Sequence, residues 1–343
     1  MATTLPTLSR TIDNAFMTTW YEIRAEAIDN ILNATVVWAA LMAAGCMKTQ
    51  VGSKFITRSI RYGTTDATEI ARGDQLPVGE NELETMAIWR WKYIASQVQR
   101  SFFDDQENNG PAKIKDLVGM KLKAARDGLE AKYETSVLGA IDTAETATRM
   151  QGLNDIIPLV GDRLTGTYGG ITRPSAYSSS AAGVVATPSA GNTWWGAKYL
   201  AGTLANIEDD LIDDMKKMYN AVQYNQAAPN LILTDQTTFE LYETFALDLS
   251  QIVKDSSGSQ LADLGFDVLR FKGKPMVWTP NATANHLLFL NTDFIEVVYD
   301  PTIWFQMTDW KANPLETFRI AHIMCVANMI SDQLRRHGRL YYA

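Results

Sequence analysis

Near the start of the chain apolar residues fall every three or four positions. Phe16, Trp20, Ile23, Ala27 and Ile31 line up as one stripe, which predicts an amphipathic helix. Such a helix must cover a surface, either its own core or a neighbouring molecule's. The nearly apolar stretch 34–44 follows, and Gly45 stops the helical pattern. Over residues 51–62 the pattern turns β-rich, with Phe55, Ile56, Thr57, Ile60 and Tyr62. Over 85–98, Trp89, Trp91 and Tyr93 alternate with Arg90 and Lys92 in the period of two that a strand imposes. Two long strands are therefore predicted. Residues 63–82 between them are polar and punctuated by Gly73, Pro77 and Gly79. So long a connection is uncommon inside a compact domain, and an isolated two-stranded ribbon is barely stable in water. The hairpin is expected to contribute little to the core of its own chain and to need a partner surface; a disordered surface loop is the other reading.

Residues 112–143 carry the longest helical stripe: Ile114, Val118, Leu122, Ala125, Leu129, Tyr133, Val137 and Ile141. A helix of that length spans on the order of 50 Å at about 1.5 Å per residue. Gly119 and Gly128 cost about 1 kcal/mol each, which the sustained stripe outweighs. Residues 161–193 are rich in Gly, Ser, Thr and Ala and read as an exposed, flexible excursion, or alternatively as a ligand loop. Leu204, Ile207, Leu211, Met215, Met218 and Val222 mark a further helix, and 231–233 a short buried strand. Thr234 or Asp235 then caps a helix bearing Phe239, Tyr242 and Phe245. The rest reads mostly as strands: 266–271, a turn at Lys272 and Gly273, 276–279, 286–290, 294–299, and 317–340 with breaks. Helices and strands mix without regular βαβ alternation, so the predicted class is α+β.

Composition adds bounds. The 343 residues suggest about two domains, and 46% hydrophobic against 20% charged residues supply a large core without a disulfide or metal staple. Cys46 and Cys325 form no CxxC pair and read as buried small apolar residues. The net charge of −8 argues against a surface that grips nucleic acid over its whole extent, although a local basic patch stays open. The apolar stretch 34–44 is about half the roughly 20 residues of a membrane-spanning helix, so no membrane partner is expected. Nothing resembles a secretory signal, and a cytoplasmic product is expected.

Catalytic templates are missing: the sequence contains no GxxxxGK[ST], GxGxxG, HExxH or GxSxG. His286, His322 and His337 are not spaced as a metal pair and read as structural residues. Glu208, Asp209, Asp210, Asp213 and Asp214 could form a carboxylate pair or a calcium cage, but the apolar stripe around them places most on a solvated helix face. No catalytic, cofactor-binding or metal-binding residue is assigned, and no cofactor. Arg335, Arg336 and Arg339 form a local basic cluster that could face DNA phosphates; strand-end solvation is the duller account.

The order of segments resembles a tailed-bacteriophage major capsid protein of the Hong Kong 97 type, across essentially the whole chain. Gln151, Gly152, Leu153, Asn154, Asp155, Ile156 and Ile157, after the long helix, are similar to that family's passage into its axial domain. Residues 231–234 with the Phe239 helix look like its central strand and helix, and 266–277 like its strand, Gly-Pro turn and strand. The resemblance implies an N-terminal arm (1–45), an extended β-hairpin loop (46–99), a peripheral domain with a long spine helix (100–150 and 295–343) and an axial domain (151–294). It implies a non-enzymatic subunit that joins copies of itself in pentamers and hexamers of an icosahedral shell around double-stranded DNA, assembled in the host cytoplasm. A portal at one vertex would be a further partner, and such a shell leaves room for a decoration protein. Intersubunit contacts are expected from Arg58, Arg61, Arg72 and Asp74 of the hairpin and from Phe16 and Trp20 of the arm. The arm-like helix begins within about ten residues of Met1, so a separate scaffolding protein is expected rather than a fused segment. Residues 63–82 contain no lysine, so no cross-linking residue and no catalytic glutamate is assigned. Two rivals stand beside this reading: an encapsulin-like compartment shell, and a carbohydrate-active enzyme suggested by the 9 tryptophans and the acidic cluster.

Overall fold

The computed structural model describes residues 36–65, 67, 69–72, 79, 82–101, 117–139, 148–159, 166–178, 181–248, 269–312 and 317–343. The predicted arm helix, with Phe16 and Trp20, and Asp74 lie outside these residues. The fold is α+β, as the patterning predicts, and separates into two compact units. The larger holds residues 34–93, 132–302 and 326–343; the described parts of the smaller are drawn from 94–131 and 303–325.

The elements used below run in chain order. Helix α1 is Val36–Ala43; strands β1 to β4 are Met47–Thr49, Phe55–Arg61, Glu84–Arg90 and Lys92–Ser101; helix α2 is Leu117–Val137. Then come β5 (Val185–Ala186), β6 (Lys198–Gly202), α3 (Ile207–Val222), β7 (Leu231–Thr234) and α4 (Gln236–Asp248). The chain closes with β8 (Leu269–Phe271), β9 (Lys274–Trp278), β10 (His286–Leu290), β11 (Ile295–Tyr299), β12 (Phe318–Ser331) and β13 (Gly338–Tyr342).

In the larger unit seven strands order as β8-β9-β7-β10-β13-β6-β5, with β7 parallel to β9 and β6 parallel to β13. Against this sheet pack α3 and α4, through Leu211, Met215, Met218 and Val222 on one helix and Phe239 and Tyr242 on the other. Burying such apolar side chains stabilises by roughly 1.5–3 kcal/mol each. Leu204, expected in the α3 stripe, precedes the helix and is 46% exposed. Asp235 is the residue that caps α4: its Oδ2 accepts Thr238 N–H at 3.4 Å and its Oδ1 accepts the Thr238 hydroxyl at 2.7 Å. The turn between β8 and β9 places Lys272 and Gly273 at positive φ, the pairing a tight hairpin favours. The sequence reading groups β13 with the peripheral segment, yet it lies between β10 and β6; strand partnership is a long-range matter that local pattern does not encode.

The predicted strand over 85–98 divides at Trp91, whose indole N–H donates to Ser53 O at 2.7 Å. β3 pairs antiparallel with β2 in a register that sets Ile56 opposite Trp89. In the smaller unit the first part of β12 pairs with short strands at Gln306–Met307 and Lys311–Ala312. Its share of α2 buries Ala125 and Leu129, and Arg126 lies 5.5 Å from the Phe305 ring centre. In the larger unit β11 pairs with the end of β12 and with β1. No helix among the described residues is long and apolar enough to cross a membrane.

Two glycines associated with α2 answer to opposite constraints. A Cβ at Gly152 would strike the carbonyls of Val137 and Ser136, where the helix ends. Gly128, exposed in the helix interior, has open space around it. Gly152→Ala is expected to lower stability by roughly 1–3 kcal/mol through overpacking, and Gly128→Ala to raise it by up to about 1 kcal/mol through helix propensity. Thermal melts of the two variants beside the parent check both signs.

Candidate assembly surface

The last turn of α2 holds the beginning of the described chain. Glu134, fully buried, accepts backbone N–H groups of Val37 at 3.2 Å and Trp38 at 2.8 Å. Those are first-turn donors of α1 that the helix itself leaves unpaired. Trp38 stacks on Tyr133 at 4.9 Å between ring centres. Desolvation raises the pKa of the Glu134 carboxyl, while these backbone donors pull it back.

Residues 149–157 form a buried polar joint. The Arg149 guanidinium donates to both oxygens of Asp155 at 2.9 Å, and Gly152 N–H donates to Asp155 Oδ2 at 2.7 Å. Asn154 Nδ2 donates to the carbonyls of Leu138 and Gly139 at 2.8 and 3.0 Å. Across from it, Asn328 accepts Gln151 N–H at 2.9 Å and donates to Gln151 Oε1 and Arg90 O, both at 3.0 Å. Arg173 donates to the Asp155 carbonyl. The end of α2, the base of the hairpin and β12 are thereby fixed to one short segment.

The hairpin has two unlike faces. Inward, Ile56, Ile60, Ala87 and Trp89 are buried in their own chain. Trp89 lies against Gly169, whose φ of +63° and clearance of 2.8 Å from that ring to an added Cβ leave room for glycine alone. Ile88 N–H donates to Gly169 O at 2.9 Å. The expectation that the strands add little to their own core is therefore corrected for the hairpin base: period-two patterning shows one apolar face but not that the 168–170 turn receives it. Outward, Met86 is 59% and Ile88 41% exposed, and nearer the tip Ile70 is 52% exposed.

Of the predicted contact residues, Arg58 is held within the chain by an ion pair with Glu296 at 2.7 Å. Arg61 is exposed opposite Glu84, and Arg72 is exposed. Tyr62 stacks on Trp194 at 4.7 Å between ring centres, which steadies the hairpin where its strands end.

The three C-terminal arginines occupy different environments. Arg335 is exposed, 5.7 Å from the Tyr224 ring centre. Arg336 donates to Tyr224 O at 2.8 Å and to Gln333 Oε1 at 3.0 Å. Arg339 is 1% exposed and donates to Asn154 Oδ1, so its expected DNA-facing role is corrected: β13 is covered on both faces, which leaves the arginine no exposed side.

No protein-family model and no curated protein sequence matches the chain. Solved structures do. The capsid asymmetric unit of cyanophage A-1(L) matches with a TM-score of 0.63 at 17% identity, covering 94% of this chain and 96% of that one. The chain has the capsid fold of the Hong Kong 97 type. The capsid of the native GTA particle matches at 0.60 and 10% identity, covering 98% and 100%. The holo-SrpI encapsulin complex of Synechococcus elongatus matches at 0.53 and 9%, covering 97% and 96%. Within this capsid fold, sequence reasoning flagged residues 151–157 but missed Glu134 and Asn328; the available signal was a polar residue inside a run destined for burial, such as the one flanking Asn328.

The acidic cluster behaves as its stripe predicts, except for Asp214. Glu208, Asp209, Asp210 and Asp213 are exposed, whereas Asp214 is buried and paired with Lys217 at 3.0 Å. Among the described residues no group of acids, histidines and cysteines is placed to hold a metal ion. Cys46 and Cys325 are both buried as thiols, and burial pushes the Cys46 thiol up to about 11.

His337 is wholly buried: its Nδ1 accepts Asn291 N–H at 3.3 Å, which leaves the proton on Nε2, 3.1 Å from Ser331 Oγ. Burial lowers its pKa to about 3, and burial with the nearby Arg339 charge lowers that of His286 to about 4. Both are neutral when folded and bind protons near pH 6.5 when unfolded, so stability is full above that pH and falls as the pH drops through the window below it. Denaturation midpoints from pH 7 to pH 4.5 are expected to show up to about a tenfold loss of folding equilibrium per pH unit for each histidine. Glu134→Ala is expected to cost roughly 1–3 kcal/mol by stranding two buried donors, with Glu134→Gln milder; denaturant melts decide.

Proposed function

We propose that the chain is a shell subunit that assembles with copies of itself into a closed icosahedral particle of pentamers and hexamers. The observation that carries this is the capsid fold extending over nearly the whole chain, 94% of it in the cyanophage match. The hairpin supports it: with its inner face in its own core, the exposed Met86, Ile88 and Ile70 and the arginines Arg61 and Arg72 remain for a neighbouring subunit. Apolar and arginine side chains of this kind suit interfaces, and a contact repeated by symmetry closes a shell. The contents proposed are the double-stranded DNA of a tailed bacteriophage, with a separate scaffolding protein and a portal during assembly. Arg335 and Arg336 are the arginines of the C-terminal cluster left to meet phosphate.

The likeness to an encapsulin complex favours a second reading, a compartment shell around protein cargo. The carbohydrate-active reading has less support, because Trp38, Trp89 and Trp195 are buried in packing.

Replacing residues 64–81 with a short Gly-Ser turn leaves Ile56, Ile60, Ala87 and Trp89 in place. The variant is expected to be soluble and to melt cooperatively, yet to form no closed particles in electron micrographs. Normal shells from it would defeat the intersubunit role of the tip. Particles from the natural host, treated with nuclease, are expected to retain double-stranded DNA; protein cargo in its place selects the compartment reading.

A further inference from the structure

Arg339 presents an electrostatic problem that no described residue solves. It is 1% exposed, and among the described residues no carboxylate pairs with it. Nη2 donates to Asn154 Oδ1, Nη1 lies 3.5 Å from His286 Nδ1, and Nε has no acceptor among the described residues. Asn154 in turn donates to the carbonyls of Leu138 and Gly139, so the guanidinium meets only the partial negative charge after the end of α2, through one amide, and the phenol of Tyr199, its partner on the neighbouring strand β6. An arginine does not shed its proton to escape burial; its pKa falls only to about 10. An ionised group in such a place requires a counter-charge.

Beside it lies a cavity of about 10 Å³ whose polar lining is Arg339, Asn154, His286 and Thr283, with Leu138, Leu233, Ala282 and Leu288 around them. That volume suits one water-sized occupant. A water would satisfy Nε but leave the charge uncompensated, whereas phosphate, sulfate and carboxylates are too large. We propose that this cavity binds a single monatomic anion of chloride size, held by Arg339. The anion would join the end of α2, the 153–156 turn, β7, β10 and β13, all within the larger unit.

The test uses the full chain, purified without halide and melted at constant ionic strength in sodium gluconate, sulfate, chloride or bromide. Chloride and bromide are expected to raise the melting temperature saturably, by roughly 2–4 °C over gluconate, as a ligand of the folded state does. Sulfate is expected to match gluconate, and Arg339→Met to lose the increment. Should that variant not fold, crystals of the parent grown in bromide are expected to show an anomalous peak beside Arg339. Coincident melts in gluconate and chloride, or no bromide peak, would mean that the cavity holds water only and would overturn the proposal.

Discussion

The larger unit depends on burying a polar segment without leaving a donor or acceptor unmatched. Gln151, Asn154 and Asp155 are all buried, and an unpaired polar group in such a place costs roughly 1–3 kcal/mol. The partners come from far along the chain: Asn328 from β12, Arg173 from beyond the helical turn, Arg339 from β13 and the carbonyls that end α2. Each partner is placed by a sheet or helix that must already be correct, so the joint forms only in one arrangement. Gly152 lets the helix end come this close.

The same logic distinguishes the base of the hairpin from its outer face. Its base is bound to its own chain by Trp89 against the Gly169 turn, by the Arg58–Glu296 ion pair and by Tyr62 stacked on Trp194. The tip and outer face carry little of that burden and present apolar side chains to solvent. In the proposed shell, that exposed surface is what a neighbouring copy would cover.

Charge is handled in the core by geometry rather than by pairing alone. Asp155 has two arginines near it, one at its carboxylate and one at its carbonyl, while Arg339 has an amide and a neutral imidazole. His337 is neutral because an amide N–H already occupies Nδ1 and the pocket around it excludes water. His286, His337 and Arg339 lie in or beside β10 and β13 of the seven-stranded sheet.

The sequence by itself determined the α+β class, the stripe Ala125, Leu129, Tyr133 and Val137 that α2 buries, and the alternation that places Ile56 and Trp89 on one face of the hairpin. It also narrowed the α4 cap to Thr234 or Asp235 and marked the Lys272–Gly273 turn, because caps and turns are set by neighbours in sequence. Tertiary structure alone decided that β13 lies between β10 and β6, that the hairpin base packs on the 168–170 turn, and that Glu134 caps a helix almost a hundred residues earlier. It also decided the fate of the arginines: Arg335, Arg336 and Arg339 look alike in sequence, but the first two sit in a turn beside the Tyr224 ring, while strand pairing buries the third. The physical reason is range. Periodicity reports which face of an element is apolar, whereas the partner that covers that face, or neutralises a charge on it, comes from elsewhere in the chain and is specified only when the whole sheet has formed.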